Sequence, residues 1–318
     1  MPVLKHLIRW FLALLPVVWT IKTSKRIVLP GFDGIPVYDV MVFFFHGLTK
    51  GYITSRVSAI SYNFFLAVFP SLIFLFTIIP FVPIENFQVS LMVLIHDFLP
   101  KTAYETVKET VEDIVTRPNG GLLSIGFILT LYFATNGINS LMEAFNNTFH
   151  TIETRGWIKQ RLISTLLVFI LSVLLIIAIG LMTFGTVLLT FVLPGWILQS
   201  TFYLLLIQLL QWIVILMALF FAISFIYYLA PAKQRHFRFI SPGGSLATLL
   251  IIITTLGFNF YVDNFSRYNI LYGSIGTLMI VLLWIYFNSF SLLIGFELNA
   301  SIYKAKKEEK NLHSGPLF

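Results

Sequence analysis

Six uninterrupted apolar runs constrain this chain more than any other feature. They lie at roughly 57–82, 121–145, 162–192, 203–229, 242–263 and 272–302. A helix needs about 20 residues to cross a hydrocarbon core about 30 Å thick, and each run is long enough. Backbone amides cannot be left unpaired in lipid, so runs of this length are read as helices. A transmembrane barrel is excluded, because its strands are short and alternate in polarity. With 11% charged residues in 318, a soluble domain is excluded as well. The expected fold is an all-α polytopic membrane protein: six transmembrane helices plus interfacial amphipathic helices.

Three domain-level segments follow. Residues 1–56 are expected to be a cytoplasmic, interfacial segment. It holds an amphipathic helix at 3–21 that is too broken by charge to span, and a short apolar helix at about 38–48. Residues 57–303 form the membrane domain, with an outer helical insert at 83–120. Residues 304–318 are a basic cytoplasmic tail. In the insert, Thr102 and Glu105 form a capping box. Its acids are spaced as a solvated stripe rather than as a cation loop. Pro70 sits mid-run and is a candidate hinge.

The charge distribution gives orientation. Seventeen Lys and Arg lie in the two termini and alternate loops, and four in the loops between. The positive-inside rule then puts both termini in the cytoplasm. It also accounts for the net charge of +7 without nucleic acid. Cysteine is absent, which removes disulfides, thiolate metal sites and cysteine nucleophiles. The six histidines fall in separate loops and tails, with no metal or acid–base spacing. No catalytic residue, metal site or cofactor is expected.

The polar residues within the runs are the candidate sites. Asn136, Asn139, Glu143 and Asn146 are spaced 3, 4 and 3 apart, one stripe on one helix face. Asn136, Asn139 and Asn146 are the candidate cavity lining; interhelical hydrogen bonding is the structural alternative. Glu297 lies seven residues before Lys304, about 10 Å at 1.5 Å per residue. That puts it at the inner edge of the core, level with Glu143 and with the start of the third span. An inner-leaflet polar network of Glu143, Arg161, Glu297 and Asn299 is expected, with Arg155 or Lys159 as alternatives to Arg161. A carboxylate that snorkels without a partner is the competing reading of Glu297. Lys233, Arg235 and Arg238 are candidate contacts to lipid headgroups.

Three segments carry a resemblance. "SYNFFLAVFPSLIFLF" (61–76), "HDFLPKTAYETV" (96–107) and "RYNILYGSIGTLMIVLLWIYFNSFSLLIGFELNA" (267–300) resemble the YihY/BrkB family of inner-membrane proteins. The closing signature is Tyr272-Gly273, then Trp284 and Tyr286, then Gly295 and Glu297. The resemblance implies six membrane helices, both ends inside, a bacterial inner-membrane location and a role in the envelope. Members have carried a ribonuclease label; export and lipid handling are other proposals. Phe296 stands where the family has a small residue, which weakens the expectation of tight helix packing there. The function expected is a transporter or lipid-handling protein of unassigned substrate. A non-transporting envelope scaffold is the alternative, and a nuclease is the least favoured reading. Membrane lipids are the expected partners, with an envelope protein or a second copy of the chain as further candidates, and no nucleic acid.

Overall fold

The structure, a computed structural model, describes residues 22–81, 118–148, 151–152, 155–192, 201–232, 240–265 and 274–313. The interfacial helices expected at 3–21 and in the insert 83–120 lie outside these residues.

Seven long helices carry the described chain. Helix α1 is Val37–Lys50, and α2 is Ile53–Ile78. They are followed by α3, Gly120–Asn146, and α4, Trp157–Val192. Helices α5, Thr201–Leu229, α6, Pro242–Phe265, and α7, Ser274–His313, complete the set. Six of them, α2 to α7, are long and apolar enough to cross a membrane, so the six-span expectation holds. The strands β1 (Asn147–Thr148) and β2 (Thr151–Ile152) pair as a small antiparallel hairpin between α3 and α4.

Local signals set several helix limits. Asn119 caps α3, its side-chain oxygen accepting from the Leu122 amide at 2.9 Å. Ser241 does the same for α6, accepting from the Gly244 amide at 3.0 Å. Pro242, next in sequence, is pre-set for a first helical position. Pro80 falls in a 3-10 turn, Ile79–Phe81, that ends α2. Pro70 is buried inside α2, which runs through it without a break.

Three helices extend beyond the expected limits, α4 by starting at Trp157 rather than near 162. α2 begins at Ile53, so Arg56 sits in its first turn. α7 continues well beyond residue 303, to His313, and its extension packs against α1. Ile53 of α2 joins the main core, and the α7 extension is covered by a second apolar cluster beside the spans. Phe32, Ile35, Val40 and Phe44 close over Leu298, Ile302 and Ala305. Within α1, Val40, Phe44 and Gly47 are the buried residues, at i, i+4 and i+7 on one face. Lys306 donates to Asp33 at 2.9 Å and fastens the loop before α1 to the end of α7.

Helices α2 to α7 pack in chain order around a ring, and α7 closes it against α2. The main core joins Val57 and Ile60 of α2, Leu141 and Phe145 of α3, and Leu293 and Phe296 of α7. Burial is concentrated at the end of the ring where Arg56, Arg155 and Lys304 lie, called the basic end here. Beyond Thr248 no described residue of α6 is buried. Among the side chains described, only Tyr203 of α5 is buried before Ile223, and only Ala178 of α4 after Leu167. On α5, Leu205, Leu206, Leu209, Leu210, Trp212 and Ile213 are all exposed, and at 100° per residue they form one broad face of about 160°. The bundle is therefore tight at the basic end; toward the other, α4, α5 and α6 are little buried, while α2 and α3 stay packed, with Gly126 against the Phe74 backbone.

Candidate functional site

The packed end is built around Arg56 and Glu297. The Glu297 side chain is wholly buried, and its carboxylate lies 3.7 Å from the Arg56 guanidinium. Arg56 also donates to the Gly51 carbonyl at 3.1 Å and to the Ala144 carbonyl at 2.6 Å. One guanidinium thus joins the end of α1, the start of α2, the end of α3 and the middle of α7. Gly47 of α1 lies flat on the carboxylate; a Cβ built there collides with the Glu297 side chain. A buried charge of this kind persists only with a partner, since its desolvation costs several kcal/mol.

This corrects the expected network. Glu297 pairs with Arg56, not with Arg161. Glu143, expected at the same level, is exposed at the end of α3. Arg161 reaches the other way, donating to the Asn136 side-chain oxygen at 2.6 Å, with its guanidinium 5.2 Å from the Tyr132 ring centre. The physical reason is the start of α2. A helix beginning at Ile53 carries Arg56 to the depth of Ala144 and Glu297, and α7 packs on α2. The arginine had been read as part of the basic segment before the first span.

Asn299 serves a different contact. Its oxygen accepts from the Gly243 amide at 2.9 Å, and its nitrogen donates to the Ser241 hydroxyl at 3.0 Å. It therefore clamps the first turn of α6. Four residues earlier, Gly295 meets Gly243 backbone to backbone; a Cβ on either glycine collides with the other's carbonyl. Tight packing is thus present at Gly295 despite Phe296. The Phe296 ring points elsewhere, stacked on Phe145 at 4.0 Å and edge-on to Tyr227 at 5.7 Å. Tyr227 in turn donates its hydroxyl to the Leu292 carbonyl at 2.6 Å.

The α3 stripe divides. Asn146 is buried and accepts from the Ala232 amide at 2.7 Å, holding the loop after α5. Arg155 supports the same loop, donating to the Leu229 carbonyl at 3.3 Å and the Pro231 carbonyl at 2.5 Å. Burial lowers the pKa of Arg155 from the usual arginine value, but an arginine stays charged in proteins. Asn136 takes the Arg161 bond, and the Asn139 side-chain oxygen is buried with no hydrogen-bond partner. The residues Lys233, Arg235 and Arg238 lie outside the described residues.

In the less buried half, α6 and α7 separate. A crevice of about 440 Å³ is lined by Phe258, Asn259, Val262, Ile280, Val281 and Trp284. Trp284 is eleven residues before Gly295, so the crevice lies about 17 Å along α7 from the glycine contact. Nearer that contact, the hydroxyls of Thr254 and Ser291 are 3.4 Å apart across the same interface. Sequence reading missed this crevice because its walls are apolar and give no motif.

Comparisons with known proteins agree with this architecture. A family described as "Virulence factor BrkB" matches residues 44–316. The putative ribonuclease-like protein YfkH of Bacillus subtilis (strain 168) is 31% identical over 253 residues, covering 80% of this chain and 91% of that protein. A UPF0761 membrane protein of Haemophilus influenzae (strain 86-028NP) is 22% identical over 263 residues, covering 82% of this chain and 94% of its own. A UPF0761 membrane protein of Xanthomonas campestris pv. campestris (strain B100) is 35% identical over a shorter stretch of 99 residues. That stretch is 31% of this chain and 23% of that protein. No solved structure matches. With its six apolar spanning helices and a match across nearly all of them, the chain belongs to the BrkB family of membrane proteins.

Proposed function

We propose that the protein handles lipid or a lipid-like amphiphile within the bilayer, moving it without covalent chemistry, in the bacterial inner membrane. The crevice between α6 and α7 carries this reading. Five of its six lining side chains are apolar, and Asn259 is the one amide. Apolar walls of this kind suit an acyl chain, because an ion or sugar needs convergent polar groups. The packed basic end supplies a fixed base, and the little-buried helices above it supply room for movement. Pro70, which lacks the amide for a helix bond, is the point at which α2 would bend.

The excess of basic residues at the packed end supports a cytoplasmic location for it and for both termini. A reporter fused after Phe318 and active only in the cytoplasm tests this; activity only in an outward-facing reporter would reverse the orientation. A nuclease would need clustered carboxylates or paired imidazoles. The most buried carboxylate, Glu297, is instead tied to Arg56.

Purified protein in vesicles with a fluorescent phospholipid provides the test. Reduction of the dye from outside should reach the inner leaflet faster than in empty vesicles. Ile280→Trp, which fills the crevice, should return the rate to that of empty vesicles while the thermal transition stays within a few degrees. A wild-type rate equal to that of empty vesicles would instead favour the non-transporting scaffold.

A further inference from the structure

Among the described residues, Arg161 is a cation held by polar and aromatic contacts that lipid movement through the α6–α7 crevice does not use. Arg161 lies on α4 and reaches α3. Its guanidinium carries five N–H donors in a planar fork. One donates to Asn136, and the face rests on Tyr132. Asn136 fixes the fork and the ring fixes its plane, so the arginine is held ready for a ligand. No acidic partner meets it among the described residues. Arg161 is only half-buried, so part of the residue reaches the surface of the bundle.

That surface is apolar. Tyr132 of α3 and Trp157, Ile158 and Leu162 of α4 are all more than half exposed. A guanidinium with open donors is costly beside hydrocarbon and is stable where an anion or water meets it. Depth narrows the choice. Asn136 is sixteen residues from Gly120, the first residue of α3, or about 24 Å. If that end of α3 meets one face of a core about 30 Å thick, the guanidinium lies about 6 Å inside the other face. Phosphates of the near leaflet are within reach of an arginine fork at that level. The exposed Trp157 stands at the same boundary, where aromatic residues collect.

A second observation points the same way. Asn139 is one helical turn along α3 from Asn136 on the same stripe. Its buried amide oxygen has no hydrogen-bond partner. That oxygen is an acceptor, so it calls for a donor such as a headgroup hydroxyl next to the phosphate held by Arg161.

We propose that Arg161, with Asn136, Asn139 and Tyr132, forms a binding site for a phosphate group on the α3–α4 face, of the kind carried by an anionic lipid headgroup. The guanidinium fork takes two phosphate oxygens side by side. The acyl chains lie along Leu162, Leu166 and Phe169, toward the centre of the bilayer. The site rests on the lipid-handling reading only in its choice of a lipid as the natural source. Binding can be present where no lipid moves, so the two fail separately.

The test uses the full chain in nanodiscs of phosphatidylcholine containing a minority of phosphatidylglycerol. Phosphatidylglycerol retained through detergent exchange is counted by native mass spectrometry. The wild type should retain it preferentially, and Arg161→Gln should lower retention about tenfold or more, the scale of a charge-assisted hydrogen-bond pair. Arg161→Lys, which keeps charge but not the fork, should fall between the two. Tyr132→Leu changes an exposed ring and leaves the core alone; it should weaken retention a few-fold, about the size of a cation–π contact. A parallel arm offers inorganic phosphate to the lipid-free protein. Weak phosphate binding that depends on Arg161, alongside strong lipid retention, supports a headgroup site. Phosphate binding as tight as lipid retention would overturn the lipid source. Equal retention by wild type, Arg161→Gln and Tyr132→Leu would overturn the site.

Discussion

The residue that organises the packed end is Arg56, and it is one that sequence reading passed over. Counting charges placed it in the basic leader, where it was one cation among seven in residues 1–56. The depth of Glu297 was legible, because rise per residue and the lysines after it fix that depth. Its partner was not, since partner choice depends on where α2 starts and on which helices touch. Asn299 was likewise recognised as a buried polar group but assigned the wrong neighbours; it clamps Ser241 and Gly243. Two substitutions separate the parts of this centre. Glu297→Ala leaves Arg56 buried beside a void and should cost about 3–5 kcal/mol, read as a large fall in the thermal transition. Gly47→Ala keeps both charges but pushes a methyl into the carboxylate, and should cost about 1–3 kcal/mol. If Glu297→Ala melts with the wild type, the ion pair does not hold this end together.

At the scale of elements, the six spans were legible because lipid allows few alternatives to a continuous apolar helix. The extensions were not. α7 carries four lysines after residue 303, and hydropathy alone reads them as a tail. They stay helical because Ile302 and Ala305 are covered by Val40 and Phe44 of α1. The α6–α7 contact was half legible. Gly295 was noted as part of a signature, while its partner Gly243 was seen only as the opening of a span. Their backbones touch, so neither can yield to a side chain. Gly295→Val should force α6 and α7 apart and cost more than Gly47→Ala, where the obstacle is a side chain. Thermal melts of both variants in one detergent check the order. A Gly295→Val protein as stable as the wild type would show that this contact is not rigid.

For the whole molecule, burial is uneven in a way that composition cannot reveal. Apolar side chains line the spans from end to end, so hydropathy predicts the same bundle whether its helices touch along their length or only at one end. The structure shows them held together at the basic end by Arg56, Asn146, Arg155 and Asn299, while toward the other end α4, α5 and α6 are little buried and α2 and α3 still touch. The polar stripe on α3 was expected to line a cavity. Asn136 meets Arg161 and Asn146 holds the loop after α5, and the crevice found between α6 and α7 is apolar. That shift, from a polar path to an apolar one, favours a lipid-like occupant over a hydrophilic solute. The most direct measurement is photocrosslinking of the purified protein in nanodiscs with a phospholipid bearing a photoreactive acyl chain, with the labelled residues mapped by mass spectrometry. The account predicts labels concentrated on Phe258–Val262 and Ile280–Trp284, and lost from both in Ile280→Trp. Labels spread evenly over the lipid-facing helices, and unchanged by Ile280→Trp, would contradict it.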